Sequence, residues 1–214
     1  MVSIVRKGKI NICKMTLGTM ATNTYVVYGE NGEGFIVDPA AESEIIKIKT
    51  TELMADIKAI LLTHGHFDHI GALEEVKKIY DADVYACEKE KEILFSSEKN
   101  LSDYFDKPFT GKADIYVKDG ESISIAGFDI RVIETPGHTI GSVCYLVSKE
   151  DEQVLISGDT LFAGSHGRYD FPTGSYSQLM ISIKEKLLTL KDSIPVYPGH
   201  NEDTTIGEEK ALYL

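Results

Sequence analysis

Residues 63–71 read THGHFDHIG, and three of the chain's six histidines, His64, His66 and His69, crowd there around Asp68. A solvated surface gives no reason for that clustering. A metal does, because neutral imidazole is a common metal ligand. The preceding KAILLTH (58–64) is a short apolar run of the kind that forms a buried strand. From about His69, HIGALEEVKKIYD (69–81) places Ile70, Leu73, Val76 and Ile79/Tyr80 at helical spacing, with Glu and Lys opposite. The cluster is therefore predicted on a loop between the C-terminal end of a strand and the start of a helix. Side chains at neighbouring positions diverge, so these four groups cannot all reach one tetrahedral ion. His64 and His66, at i and i+2, can converge, whereas Asp68 and His69 form a second group. Two metal positions are expected, each short of ligands.

Three more strand ends offer the missing ligands. His138 lies in ETPGHTIGS (134–142), Asp159 in VLISGDTLF (154–162) and His200 in VYPGHNED (196–203), each beside a glycine. Glycine allows the tight backbone that turns a ligand back toward a common point. A lone PGH is more often a surface turn; in the same chain as THGHFDH the balance reverses. Imidazole with carboxylate suits zinc, iron or manganese, and the lack of thiolate argues against a closed structural zinc site.

The rest of the chain is consistent with a soluble enzyme. It has 214 residues, 43% of them apolar, and a formal charge of −12 from 34 acidic and 22 basic side chains. That balance argues against nucleic acid as a partner. No membrane-spanning run and no apolar leader is present, so a cytoplasmic location is expected. Cys13, Cys87 and Cys144 are far apart in apolar surroundings and read as buried, reduced thiols. KINICKM, NTYVVYG and EGFIVDP read as strands, AESEIIKIKTTELM as a helix, DVYAC as a strand and EKEKEIL as a charged helix. ISIAGFDIRVIETP suggests a hairpin turning at Ala126–Gly127. SVCYLVS, QVLISGD and IPVYPGH read as further strands, with helices at SYSQLMISIKEKLLTL and TTIGEEKALYL. Residues 96–114 are polar and irregular and are expected to be a mobile loop with little structure. Strands and helices alternate to the end, so one α/β domain over 1–214 is expected. No feature of the sequence specifies an oligomeric state.

THGHFDHIG, TPGHTIGS, ISGDTLF and YPGHNEDTT together resemble the metal motifs of the metallo-β-lactamase superfamily, and are most similar to its glyoxalase II-like branch of small hydrolases. NTYVVYG…FIVDPA and FAGSHGRYDFPTGS resemble the same branch. The resemblance implies a four-layer αββα sandwich with the site along one edge of the two sheets. It implies that His64, His66 and His138 hold one divalent metal, that Asp68, His69 and His200 hold a second, and that Asp159 bridges them. Zinc is the expected metal, with iron or manganese as alternatives. Two such ions sharing a hydroxide would cleave a small thioester (S-lactoylglutathione-like) or an activated ester, with Asp68 orienting the nucleophile and taking its proton. The sequence stops fourteen residues after His200, so the helical C-terminal domain that contributes to glutathione binding in full-length relatives is expected to be missing. A mononuclear-iron persulfide dioxygenase, or a lactone hydrolase on the same site, is the alternative. His166, Arg168 and Tyr169 are candidate substrate contacts, as is Tyr145. For His166 the plainer reading is an exposed loop histidine, and for Arg168 with Asp170 a bracing ion pair. Asn23 and Asp38 are assigned structural roles.

Overall fold

The computed structural model describes residues 1–105 and 107–213. The first half of the chain builds one sheet whose strands are neighbours in sequence order. These are β1 (Val2–Arg6), β2 (Asn11–Leu17), β3 (Thr22–Tyr28), β4 (Glu33–Val37), β5 (Asp56–Leu61), β6 (Asp83–Cys87) and β7 (Ile115–Val117). Up to β4 the pairing is antiparallel; from β4 to β7 it is parallel. Parallel neighbours require crossovers. Those crossovers carry α1 (Ser43–Glu52), then α2 (Phe67–Ile70) with α3 (Leu73–Tyr80), then a 3₁₀ turn (Glu88–Glu90), α4 (Lys91–Leu94) and α5 (Ser102–Phe105).

The second sheet holds β8 (Ser122–Ile125), β9 (Phe128–Glu134), β10 (Val143–Lys149) and β11 (Glu152–Gly158). The chain then makes a small hairpin, β12 (Leu161–Phe162) and β13 (Ser165–His166), and a helical segment, α6 (Tyr176–Ile181) continuing as π-helix over Ser182–Leu187. It returns to the sheet as β14 (Pro195–Pro198) and β15 (Thr204–Thr205) and ends in α7 (Ile206–Tyr213). The strand order is β15-β14-β11-β10-β9-β8, with β11–β14 the parallel pair.

Alternation along the strands builds the layers. Tyr25, Val27, Phe35, Val37, Ala59 and Leu61 of the first sheet meet Phe128, Ile130, Val132, Tyr145, Val147 and Ile156 of the second in one buried cluster. The other face of the first sheet, with Val26, Ile36 and Ile60, packs against Ile46 of α1 and Leu73 and Val76 of α3. The outer face of the second, with Cys144, Leu146 and Leu155, takes Leu179, Ile183 and Ile206 from the C-terminal helical segments. Strands buried on both faces read as near-continuous apolar runs, as these do. The result is the expected four-layer αββα sandwich.

Several local expectations need correction. The helix read over 69–81 is two helices, because the chain breaks at Gly71–Ala72. A Cβ at Gly71 would stand 2.4 Å from the Ala40 carbonyl oxygen, and the Ala72 N–H donates to Pro39 instead. EKEKEIL, read as one charged helix, is a 3₁₀ turn (Glu88–Glu90) followed by the four-residue α4, and Glu90 within it is fully buried. Residues 96–114 contain α5 and are anchored by buried Asn100, Leu101, Ser102 and Ala113. The polar side chains that suggested disorder close the loop on itself: Asn100 Nδ2 donates to the Phe109 carbonyl at 2.8 Å and Ser102 Oγ to the same oxygen at 3.1 Å. Asp106 of that stretch and Leu214 of the last predicted helix lie outside the described residues. The hairpin at Ala126–Gly127 forms with both φ values positive (54° and 71°), the primed turn that suits strand twist. Among the described residues no helix is long and apolar enough to cross a membrane. The three cysteines are free and buried, and burial pushes the Cys87 thiol up to about 12 and that of Cys144 to about 11.

Candidate metal centre

Four strand ends converge at one edge of the sandwich. The β5 strand delivers His64, and His66 sits in extended backbone at the start of α2, whose first turn carries Asp68 and His69. His138 follows β9, Asp159 follows β11 and His200 follows β14. Gly158 has φ +49°, and a Cβ at Gly199 would stand 2.2 Å from Asp159 Oδ1 and 2.7 Å from His69 Cε1. Bare backbone at 199 is therefore what lets His69, Asp159 and His200 share one space.

The seven side chains sort into two groups. His138 Nε2 lies 2.9 Å from His66 Nδ1 and 3.2 Å from His64 Nε2, and one ligand atom from each of the three falls within 4.8 Å of the others. Asp68, His69 and His200 form the second group, with His200 Nε2 3.3 Å from Asp68 Oδ2. Asp159 stands between them: its Oδ2 is 3.6 Å from His138 Nε2 and 3.5 Å from His200 Nε2, and its Oδ1 is 3.4 Å from His69 Nε2.

Hydrogen bonds behind the candidate ligands set their direction. His69 Nδ1 donates to Asp38 Oδ2 at 2.9 Å, and His138 Nδ1 donates to the Arg168 carbonyl at 2.6 Å. Asp38 also accepts from the backbone N–H (2.7 Å) and hydroxyl (2.6 Å) of Thr63. Although Asp38 lies close enough to His64 and His69 to form a third candidate cluster, its oxygens are already engaged. It orients rather than ligates. Thr22 Oγ1 donates to Asp68 Oδ2 at 2.7 Å. Asn23 Nδ2 donates to the Pro198 and Asn201 carbonyls, both at 3.0 Å, and Tyr25 Oη to Pro198 at 2.7 Å, so β3 braces the His200 loop.

The donor set fits a cation. His66 Nε2, His69 Nε2 and Asp159 Oδ1 are buried with no hydrogen-bond partner, although such groups are ordinarily satisfied. The three-imidazole group brings His64, His66 and His138 nitrogens together without a carboxylate to pair all of them. Burial, then repulsion from neighbouring histidines, drives His64 well below its usual range; burial followed by His138 does the same to His66. Burial lowers His138 too, against the pull of Asp159. In the second group burial opposes charge, but Asp159, Asp68 and Asp38 together raise His69 well above its usual range. His200 is raised against the same burial by Asp159 and Asp68. Asp68 and Asp159 resist burial because His69 and His200 hold both below the usual carboxylate range.

A cavity of about 400 Å³ opens onto both groups. Its walls include Met20, Phe67, Leu101, Phe105, Phe162 and Phe171, with His166, Arg168 and Asn201 as further polar groups. Phe67 and Phe105 stack at 5.6 Å, so the 96–114 stretch contributes one wall. His166 is half-buried in β13, not in an exposed loop; its Nδ1 donates to the Gly167 carbonyl at 2.9 Å and its ring neighbours Tyr169, Tyr176 and Tyr213. Arg168 forms the bidentate pair with Asp170 at 2.9 and 2.7 Å and lies over the Phe171 ring. Tyr169 stands beside His166 but outside the cavity wall. Tyr145 is a core residue whose hydroxyl donates to the Leu62 carbonyl, so it does not reach substrate. Thr22 was invisible as a site residue in the sequence, where no motif marks it.

An αββα sandwich that gathers histidines and aspartates at its strand ends belongs to the metallo-hydrolase class. The sequence profile described as metallo-beta-lactamase superfamily matches residues 17–200, and the chain belongs to that superfamily. It is 33% identical over 207 residues to the hydroxyacylglutathione hydrolase GloC of Haemophilus influenzae, covering 94% of this chain and 95% of that protein. Among solved structures it is similar to the BLEG-1 B3 metallo-beta-lactamase (38% identity, TM-score 0.88, 92% and 95% of the two chains). The di-iron-bound form of TTHA1623 is also similar (31% identity, TM-score 0.80, 92% and 96%).

Proposed function

We propose that the protein hydrolyses a small thioester with two divalent metal ions, zinc first among the candidates. His64, His66 and His138 would hold one ion and Asp68, His69 and His200 the other, with Asp159 shared. The observation that carries this reading is Asp159, placed within 3.6 Å of histidines from both groups at the floor of an open cavity. The relative solved in a di-iron-bound form supports two ions and adds iron to the metals to be tested. When bound, such ions supply Lewis acidity for the carbonyl and lower the pKa of water toward neutrality.

The chain's own groups do the rest. Asp68, tied to Thr22, stays ionised beside His69 and His200, so it accepts a hydrogen bond from the attacking water and fixes its approach. The aromatic wall excludes bulk water and holds the apolar part of the acyl group. His166 and Arg168, at the cavity, and Tyr169, beside them, are the proposed contacts to the thiol half. Arg168 is already neutralised by Asp170, which favours a leaving thiol of low charge. A thiol has a pKa of about 8.5 and departs as thiolate, whereas an amide nitrogen needs a proton donor. Similarity to a protein named hydroxyacylglutathione hydrolase supports the thioester reading. The 38% identity to a B3 metallo-beta-lactamase favours a second one, opening of a strained β-lactam on the same site. Kinetics of the metal-loaded protein on a panel of thioesters, lactones, β-lactams and a persulfide with oxygen decide between them. A thioester should give the largest kcat/KM, and turnover confined to the lactam or the persulfide would overturn the proposal.

A further inference from the structure

Glu90 is a fully buried carboxylate, and it touches no ligand. It sits at the end of the 3₁₀ turn after β6, where the sequence suggested only a charged helix. Its Oε2 accepts from the backbone N–H of Gly65, between His64 and His66, at 2.7 Å. Its Oε1 accepts from the backbone N–H of Gly141 at 2.9 Å and from the hydroxyl of Thr139, the residue after His138. Thr139 is locked in turn by Ser142, whose Oγ accepts from the Thr139 N–H at 3.1 Å. No lysine or arginine pairs with Glu90 among the described residues. The fit is close on both sides. A Cβ at Gly141 would stand 2.6 Å from the Glu90 nitrogen, and one at Gly65 would stand 3.2 Å from Oε2.

The two loops joined in this way come from different sheets. At their base, among the described residues, one backbone bond, Val143 N–H to the Thr63 carbonyl, links them at 2.9 Å. Nearer the ligands, one carboxylate supplies both attachments. We propose that Glu90 is a positioning residue that locks the His138 loop to the His64–His66 loop and so sets the geometry of the three-imidazole group. All of its partners present hydrogens to it. An amide in its place would turn an N–H₂ toward one of the two backbone N–H groups and push a loop away. The second group draws its support from Asp38, Thr22 and Asn23 and does not share this clamp.

The inference rests on the two-ion reading, and the test separates the two. Wild-type protein is titrated with Zn²⁺ and with Co²⁺ against a competing chelator, giving stoichiometry, both affinities and the Co²⁺ absorption bands. In Glu90→Gln the affinity of the three-imidazole group should fall 10- to 100-fold with altered Co²⁺ bands, while the other ion stays within threefold. Glu209→Gln is the control, because Glu209 is also a buried carboxylate, holding Gly164 and Thr204, and lies on α7. It should leave the three-imidazole affinity unchanged. Thr139→Val removes one of the three bonds and should give a several-fold loss at the same ion even where Glu90→Gln does not fold. Unchanged affinities in folded Glu90→Gln, an equal loss of both ions, or the same selective loss in Glu209→Gln would overturn the proposal. If Glu90→Gln does not fold, Thr139→Val decides: an unchanged three-imidazole affinity would overturn it. A wild-type stoichiometry of one ion would overturn the two-ion reading instead, with the Glu90 effect still measurable on the remaining ion.

Discussion

The two halves of the site solve one problem in opposite ways. His64, His66 and His138 are held neutral by burial and by one another, so three bare imidazoles stand ready to bind. His69 and His200 lie among Asp68, Asp159 and Asp38, which favour their protonated forms and raise both above the ordinary histidine range. In the first half repulsion between imidazoles waits for a cation. In the second half the carboxylates favour positive charge on the histidines themselves. Metal affinity at the two positions should therefore differ in pH dependence as well as in strength.

The harshest way to break the comparison is to remove the group that both halves share. On the proposed function, Asp159→Ala should weaken both ions and lower kcat/KM for the thioester by at least about 100-fold, read by metal analysis and steady-state kinetics. Loss of one ion alone would mean that the halves are independent.

Next in size is pH. Histidines whose folded pKa is raised favour the metal-free fold below the unfolded value of 6.5, and that stability is lost as pH rises through the higher folded value. Their protons must leave when metal binds, so affinity at the second position should fall about tenfold per pH unit per proton as the solution is acidified. The three-imidazole position should show little change above about pH 6.5, the ordinary histidine range. Calorimetry in buffers of differing ionisation enthalpy measures this directly: near-zero proton release for one ion and about one or two for the other.

Asp38→Ala sharpens the contrast by disturbing the second half more than the first. It frees His69 Nδ1 directly and reaches His64 only through the two Thr63 donors, so it should weaken the second ion 10- to 100-fold and the first only a few-fold. The smallest effect belongs to the wall. Phe105→Ala removes a half-exposed ring stacked on Phe67 and should raise KM a few-fold with kcat and metal content unchanged.

Much of this architecture was legible in the chain because the relevant signals are local. β-Branched and aromatic runs in NTYVVYG and FIVDP announced strands, and His64, His138, Asp159 and His200 each stand beside a glycine just beyond an apolar run. The helix boundaries at 71 and 181 were not legible. One depends on the Ala40 backbone lying against Gly71, and at the other a π-helix begins within a continuous amphipathic pattern. The supporting groups were hidden for the same reason. Thr22 reaches Asp68 across 46 residues, and Glu90 reaches Gly65 and Gly141 across 25 and 51. A threonine or a glutamate carries no sign of a partner so far away.

By itself, then, the sequence determined the α/β class, the strand ends and the ligand types, since hydrophobic period and residue chemistry act over a few positions, whereas the four layers were implied by the family resemblance. Only the tertiary structure decided which ligands share a space, which imidazoles are neutral and which carboxylates orient rather than ligate. Those properties depend on burial and on charges brought together from distant strands, and electrostatics in a buried site follows distance in space, not distance along the chain.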